Sequence, residues 1–82
     1  MTMHGAPLLK KANQIAQFFK AQPDRRQAAA DMATHLTNTW PARQRQGLQV
    51  AVQEVAQDQA ALDPLVNEAL AVLAERAARH PA

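Results

Sequence analysis

Residues 8–25 read LLKKANQIAQFFKAQPDR. Leu8, Ala12, Ile15 and Phe19 are spaced four, three and four apart, which is the spacing of one helix face. Leu9 and Ala16 widen that face, and Phe18 lies on its opposite edge, beside Lys11. Adjacent helical residues point about 100° apart, so Phe18 and Phe19 cannot both sit at the centre of one face. The spacing places Phe19 on the internal face and leaves Phe18 at its edge. The chain has only three aromatic side chains, Phe18, Phe19 and Trp40. Aromatics bury large apolar areas and commonly anchor a core or an interface. The helix stops at Gln22-Pro23, and Asp24 starts the next one.

From this stretch outward, the whole chain reads as helix. Alanine and glutamine are abundant, β-branched residues are few, and glycine occurs only at Gly5 and Gly47, a composition that favours helix throughout. Prolines at 7, 23, 41, 64 and 81 punctuate it. The expected fold is all-α, a small bundle of three to four short helices over about 7–21, 24–38, 41–56 and 63–79, within a single domain 1–82 with short flexible termini at about 1–6 and 79–82. Asp24 and Gln27 form the pattern of a capping box for the second helix, whose stripe is Ala28, Ala29, Met32 and Leu36. Thr39 is the expected N-cap of the third, with Leu48, Ala51, Val52 and Val55 on its apolar face. Asp63-Pro64 reads as N-cap and first helical position of the fourth. Leu65, Val66, Ala69, Leu70, Val72 and Leu73 give that helix the broadest apolar face. Either it is the central helix, or part of its face waits for another chain.

Size and composition restrict function. An 82-residue chain buries only about 60–65% of its unfolded surface, so its core is thin. It has no cysteine, serine or tyrosine, which removes thiolate metal sites, disulfides and the usual nucleophiles. The glycines cannot form a phosphate-cradling loop, and the carboxylates are scattered singly, with no pair spaced for acid/base work. Asp31 and His35, four apart, read as hydrogen-bonded neighbours on a helix surface rather than as a metal site, which needs three or four ligands. No apolar run approaches the roughly 20 residues of a membrane span, and the expectation is a cytoplasmic, non-enzymatic protein. The net charge is +2, carried in separated basic pairs rather than on the single stripe of a nucleic-acid footprint.

The candidate contact residues are Asn13, Gln14, Phe18, Trp40, Arg43 and Arg45. Trp40 either plugs the corner between helices or acts as a hot spot on a partner surface. Arg43 and Arg45 stand in a first helical turn, where cations are mildly unfavourable, so a reason outside that helix, such as an acidic partner, is sought. Asn13 and Gln14 are either exposed polar positions or specific amide contacts with another chain.

Taken together, ANQIAQFF (12–19), AQPDR (21–25), the A-x-HL of Ala33, His35 and Leu36, Trp40, and LDPLVNEAL (62–70) resemble the delta subunit of cytoplasmic NAD-dependent, molybdenum-containing formate dehydrogenases, from about Leu8 to Leu73. The family typically reads Trp-Asp-Pro-Arg-Met-Arg where this chain has Trp40-Pro41-Ala42-Arg43-Gln44-Arg45, and a glycine-rich turn where it has residues 57–61. The resemblance implies a small accessory subunit that binds the large (alpha) subunit and supports its assembly, cofactor loading or stability. It implies that the partner enzyme carries bis-molybdopterin guanine dinucleotide, iron–sulfur clusters, FMN and NAD, with no cofactor in this chain. The rival readings are a small helical nucleic-acid-binding or regulatory protein, with the second and third helices mimicking a helix-turn-helix, and a self-associating helical module that forms a homodimer when isolated.

Overall fold

The computed structural model of the chain describes residues 5–54 and 62–79, which form four helices and no strand. They are α1 (Gly5–Phe19), α2 (Arg25–Thr39), α3 (Ala42–Glu54) and α4 (Pro64–Arg79). The expected all-α bundle is therefore the observed one. The first helix opens at Gly5 rather than Pro7, because proline is tolerated anywhere in a first turn, where the amide has no intrahelical acceptor. The expected end of the third helix at 56, Val55, residues 57–61 and the outermost residues of both expected tails lie outside the described residues.

Asp24 caps α2 by accepting the Gln27 amide at 3.2 Å. The reciprocal half of the expected capping box is not made, because the Gln27 side chain donates instead to Asp31 at 2.8 Å. Thr39 does not cap α3. It is the last residue of α2, and its hydroxyl donates back to the His35 carbonyl at 2.7 Å. Pro41 takes the capping position, its carbonyl accepting the Gln44 and Arg45 amides. At α4 the expected cap is present: Asp63 Oδ1 accepts the Leu65 amide at 2.9 Å, and Pro64 occupies the first helical position.

The helices pack in two principal pairs, α1 with α3 and α2 with α4, with α1 also against α2. All four contribute to one apolar cluster. Met32, Leu36, Leu48, Leu65 and Val66 are its largest fully buried side chains. Burying each large aliphatic contributes roughly 1.5–3 kcal/mol, which is how a thin core suffices. In α1 the deepest positions are Ala12 and Ala16, while Leu8, Leu9, Ile15 and Phe19 are half-buried around them. Small residues at the centre let neighbouring helices approach closely. Gly47 serves the same end on α3, where an added Cβ would lie 3.0 Å from Leu8 Cδ1. On α4, Leu65, Val66, Ala69 and Leu70 are buried, but Val72 and Leu73 remain half-exposed. Its broad stripe is thus split between the core and the surface.

Candidate functional site

A predominantly apolar groove of about 500 Å³ lies between α1 and the C-terminal half of α2. One helix supplies Lys11, Gln14, Ile15, Phe18 and Phe19; the other supplies His35, and Trp40 closes the end. Positions 11, 14, 15 and 18 share one side of α1 because they repeat at three- and four-residue intervals. Phe18 is 76% exposed. Its ring meets Phe19 edge-on with centroids 5.2 Å apart, and Phe19 in turn meets the His35 ring at 5.7 Å. Phe19 is half-buried and packs against the core cluster, so the wheel's division of the two phenylalanines matches the fold, with Phe19 less deep than a central core position.

Trp40 is only 8% exposed and belongs to the core cluster, with its backbone N–H closing α2 on the Leu36 carbonyl. It plugs the α2–α3 corner and also forms the end of the groove. Arg45 is half-buried and satisfies carbonyls left open at the end of α2: Nη1 donates to the Trp40 carbonyl at 2.6 Å and reaches the Thr37 carbonyl at 3.3 Å. The reason for a cation in the first turn of α3 is therefore the negative C-terminal end of α2. Arg43 is exposed and has no hydrogen bond or ion pair within the described residues.

Asn13 is half-buried and turned inward. Its Oδ1 accepts the Asp63 amide at 2.9 Å, tying α1 to the start of α4. Lys20 reinforces the same joint through Asp63 Oδ2 at 3.2 Å. Gln14 is exposed and stays on the groove. The six sequence candidates thus separate: Gln14, Phe18 and Trp40 meet at the groove, Asn13 and Arg45 have internal partners, and Arg43 stands apart. Ile15, Phe19 and His35 complete the groove; Ile15 and Phe19 were legible as an apolar stripe, but the approach of His35 from α2 had no local signal.

The expected Asp31–His35 pair is not made. Asp31 accepts from Gln22 at 2.9 Å and from Gln27 at 2.8 Å, and these two bonds hold its carboxyl below its ordinary value, with burial opposing them. Among the described residues no three His, Asp or Glu side chains converge to hold a metal, and no helix is long and apolar enough to cross a membrane. With no cysteine in the chain, thiolate-held iron–sulfur clusters do not fit it.

A second groove of about 450 Å³ lies where α2, α3 and α4 meet, lined by Thr37, Arg45, Gln49, Leu73 and Arg76 among others. Arg76 is occupied as Arg45 is, donating to Thr34 Oγ1 at 3.1 Å and to the Ala30 carbonyl at 3.4 Å.

A sequence model of one protein family, described as the NADH-dependent formate dehydrogenase delta subunit FdsD, matches residues 7–70, well over half of the chain. Comparison with curated proteins and with solved structures gives no match. The chain belongs to the formate dehydrogenase delta-subunit family.

Proposed function

From that membership, we propose that the protein is a non-catalytic accessory subunit that binds the large molybdenum-cofactor subunit of a cytoplasmic NAD-dependent formate dehydrogenase and supports its assembly, cofactor loading or stability. The observation that carries the binding half is the α1–α2 groove with Phe18 exposed on its rim. A large aromatic left in water beside other apolar side chains gains by being covered, and such residues dominate the energetics of protein interfaces. The non-catalytic half is supported by the residue types available, since a chain without serine, cysteine or tyrosine offers few groups for covalent or redox chemistry. The molybdenum cofactor, iron–sulfur clusters, FMN and NAD belong, on this reading, to the partner subunits.

The geometry gives the nucleic-acid reading little support. A recognition helix needs several arginines free to meet phosphates or bases, and of the two in α3 only Arg43 is free, since Arg45 is committed to α2. The test is co-expression of the tagged full chain with the other subunits of the enzyme. Recovery of the large subunit with the tag is the expected result. Recovery of the chain alone, or with nucleic acid in a salt-sensitive manner, would overturn the reading.

A further inference from the structure

We propose that the α1–α2 groove receives an amphipathic helix that carries a carboxylate beside its apolar anchors, and that Lys11 is the charge that selects it. This rests on the reading of the chain as a binding subunit and adds what the surface recognises.

The apolar part of the argument is Ile15, Phe18 and Phe19 along one wall, with Trp40 at the end. A groove between two helices suits a third helix laid across it with anchors at i, i+3 or i+4, and i+7. Strand addition has no template here, because the described residues contain no strand edge.

The electrostatic part decides between occupants. Helix α1 carries Lys10 and Lys11 and no carboxylate, and Lys20 follows directly after it. Lys20 is paired with Asp63, while Lys10 and Lys11 make no ion pair within the described residues. Most of the carboxylates are already committed: Asp24 and Asp63 to caps, Asp31 to two glutamines, Glu68 to Arg25 and Glu75 to Arg79. None of them lines the groove. A segment that docks there meets an uncompensated ammonium next to the apolar anchors. A carboxylate placed at that point complements it, and complementary charge fixes partner choice and raises the association rate. The same arrangement argues against a second copy of this chain. A twofold contact presents identical patches to each other, so Lys11 of each copy would enter a patch of like charge with no carboxylate to answer it.

The test uses the full chain and the purified large subunit, with affinity measured for the natural sequence, for Lys11→Glu and for Arg26→Glu. Arg26 is also exposed and lies outside the groove, in the first turn of α2, so the two variants change net charge equally. Lys11→Glu is expected to weaken binding by about tenfold or more and Arg26→Glu by less than about twofold. A photocrosslinking residue at Gln14 should capture a large-subunit peptide with Asp or Glu within one helical turn of its apolar residues. Equal effects of the two charge reversals, no effect of Lys11→Glu on an intact complex, or capture of a peptide without a carboxylate or of another copy of this chain would overturn the inference. In those cases binding to the large subunit survives as a reading. If the natural chain does not bind the large subunit at all, both fall together. Unchanged thermal melts of both variants would place their effects on binding rather than folding.

Discussion

The two grooves that flank the last turn of α2 are close in size, about 500 and 450 Å³, yet their side chains are satisfied in opposite ways. In the α2–α3–α4 groove the conspicuous groups are guanidiniums, and each is held by its own fold: Arg45 by the carbonyls of Thr37 and Trp40, Arg76 by Thr34 and the Ala30 carbonyl. In the α1–α2 groove the conspicuous groups are Phe18, which meets Phe19 edge-on but stays mostly in water, and Lys11, which makes no ion pair within the described residues. A charged side chain at a groove is thus weak ground for assigning a binding role until its hydrogen bonds have been followed. An exposed aromatic on an apolar wall is stronger ground, because folding alone leaves it in water.

The largest effect is expected at Trp40, which links the two grooves. Trp40 lines the first groove, and its carbonyl anchors Arg45 in the second. Trp40→Ala should cost roughly 3–5 kcal/mol, a large fraction of the stability of so small a domain, and urea unfolding should show a much lower midpoint or no cooperative transition. Phe18→Ala should separate the two properties. Its affinity for the large subunit is expected to fall by about thirtyfold or more, while the unfolding free energy changes by less than about 0.5 kcal/mol. Phe19→Ala should do the reverse, at a stability cost below the roughly 3–5 kcal/mol of a fully buried phenylalanine, because the ring is only half-buried. Swapped effects in a binding assay and a thermal melt would reverse the assignment of the two rings.

A smaller effect is expected in the second groove. Arg45→Gln removes two bonds to the end of α2 and should cost about 1 kcal/mol in chemical denaturation, with no change in the affinity of the folded protein for the large subunit. A binding defect there would erase the distinction between the grooves. The smallest effect concerns Asp31, whose carboxyl is favoured in its ionised form by Gln22 and then Gln27. Because its folded value is depressed, the associated stabilisation is present above the unfolded value of about 3.9 and is lost as pH falls through the folded one. Carboxyl-carbon NMR should find its midpoint below 3.8, and replacing both glutamines by alanine should return it towards that value without altering large-subunit binding at neutral pH.

Much of this fold was legible because helices are local structures. The proline punctuation, the Asp63-Pro64 start and the apolar stripes each depend on residues within a few positions of one another. Where two local partners compete for one side chain, spacing alone does not choose between them. Thr39 has the chemistry of an N-cap, but its hydroxyl found the His35 carbonyl one turn back. Gln27 has the right spacing for a capping box, but Asp31 lies equally close on the next turn.

The candidate site divides on the same line. By itself, the sequence determined an all-α chain with an exposed edge at Phe18 and Lys11 on α1, because one helix wheel sorts those positions without reference to the rest of the molecule. Only the tertiary structure decided that Asn13 and Arg45 face inward, since their partners, the Asp63 amide and the Trp40 carbonyl, are brought near by packing rather than by helical periodicity. It also decided that His35 and Trp40 turn the edge of α1 into a groove. Hydrogen bonds and cavity walls formed between elements depend on how helices meet, and no periodicity within one helix encodes that meeting.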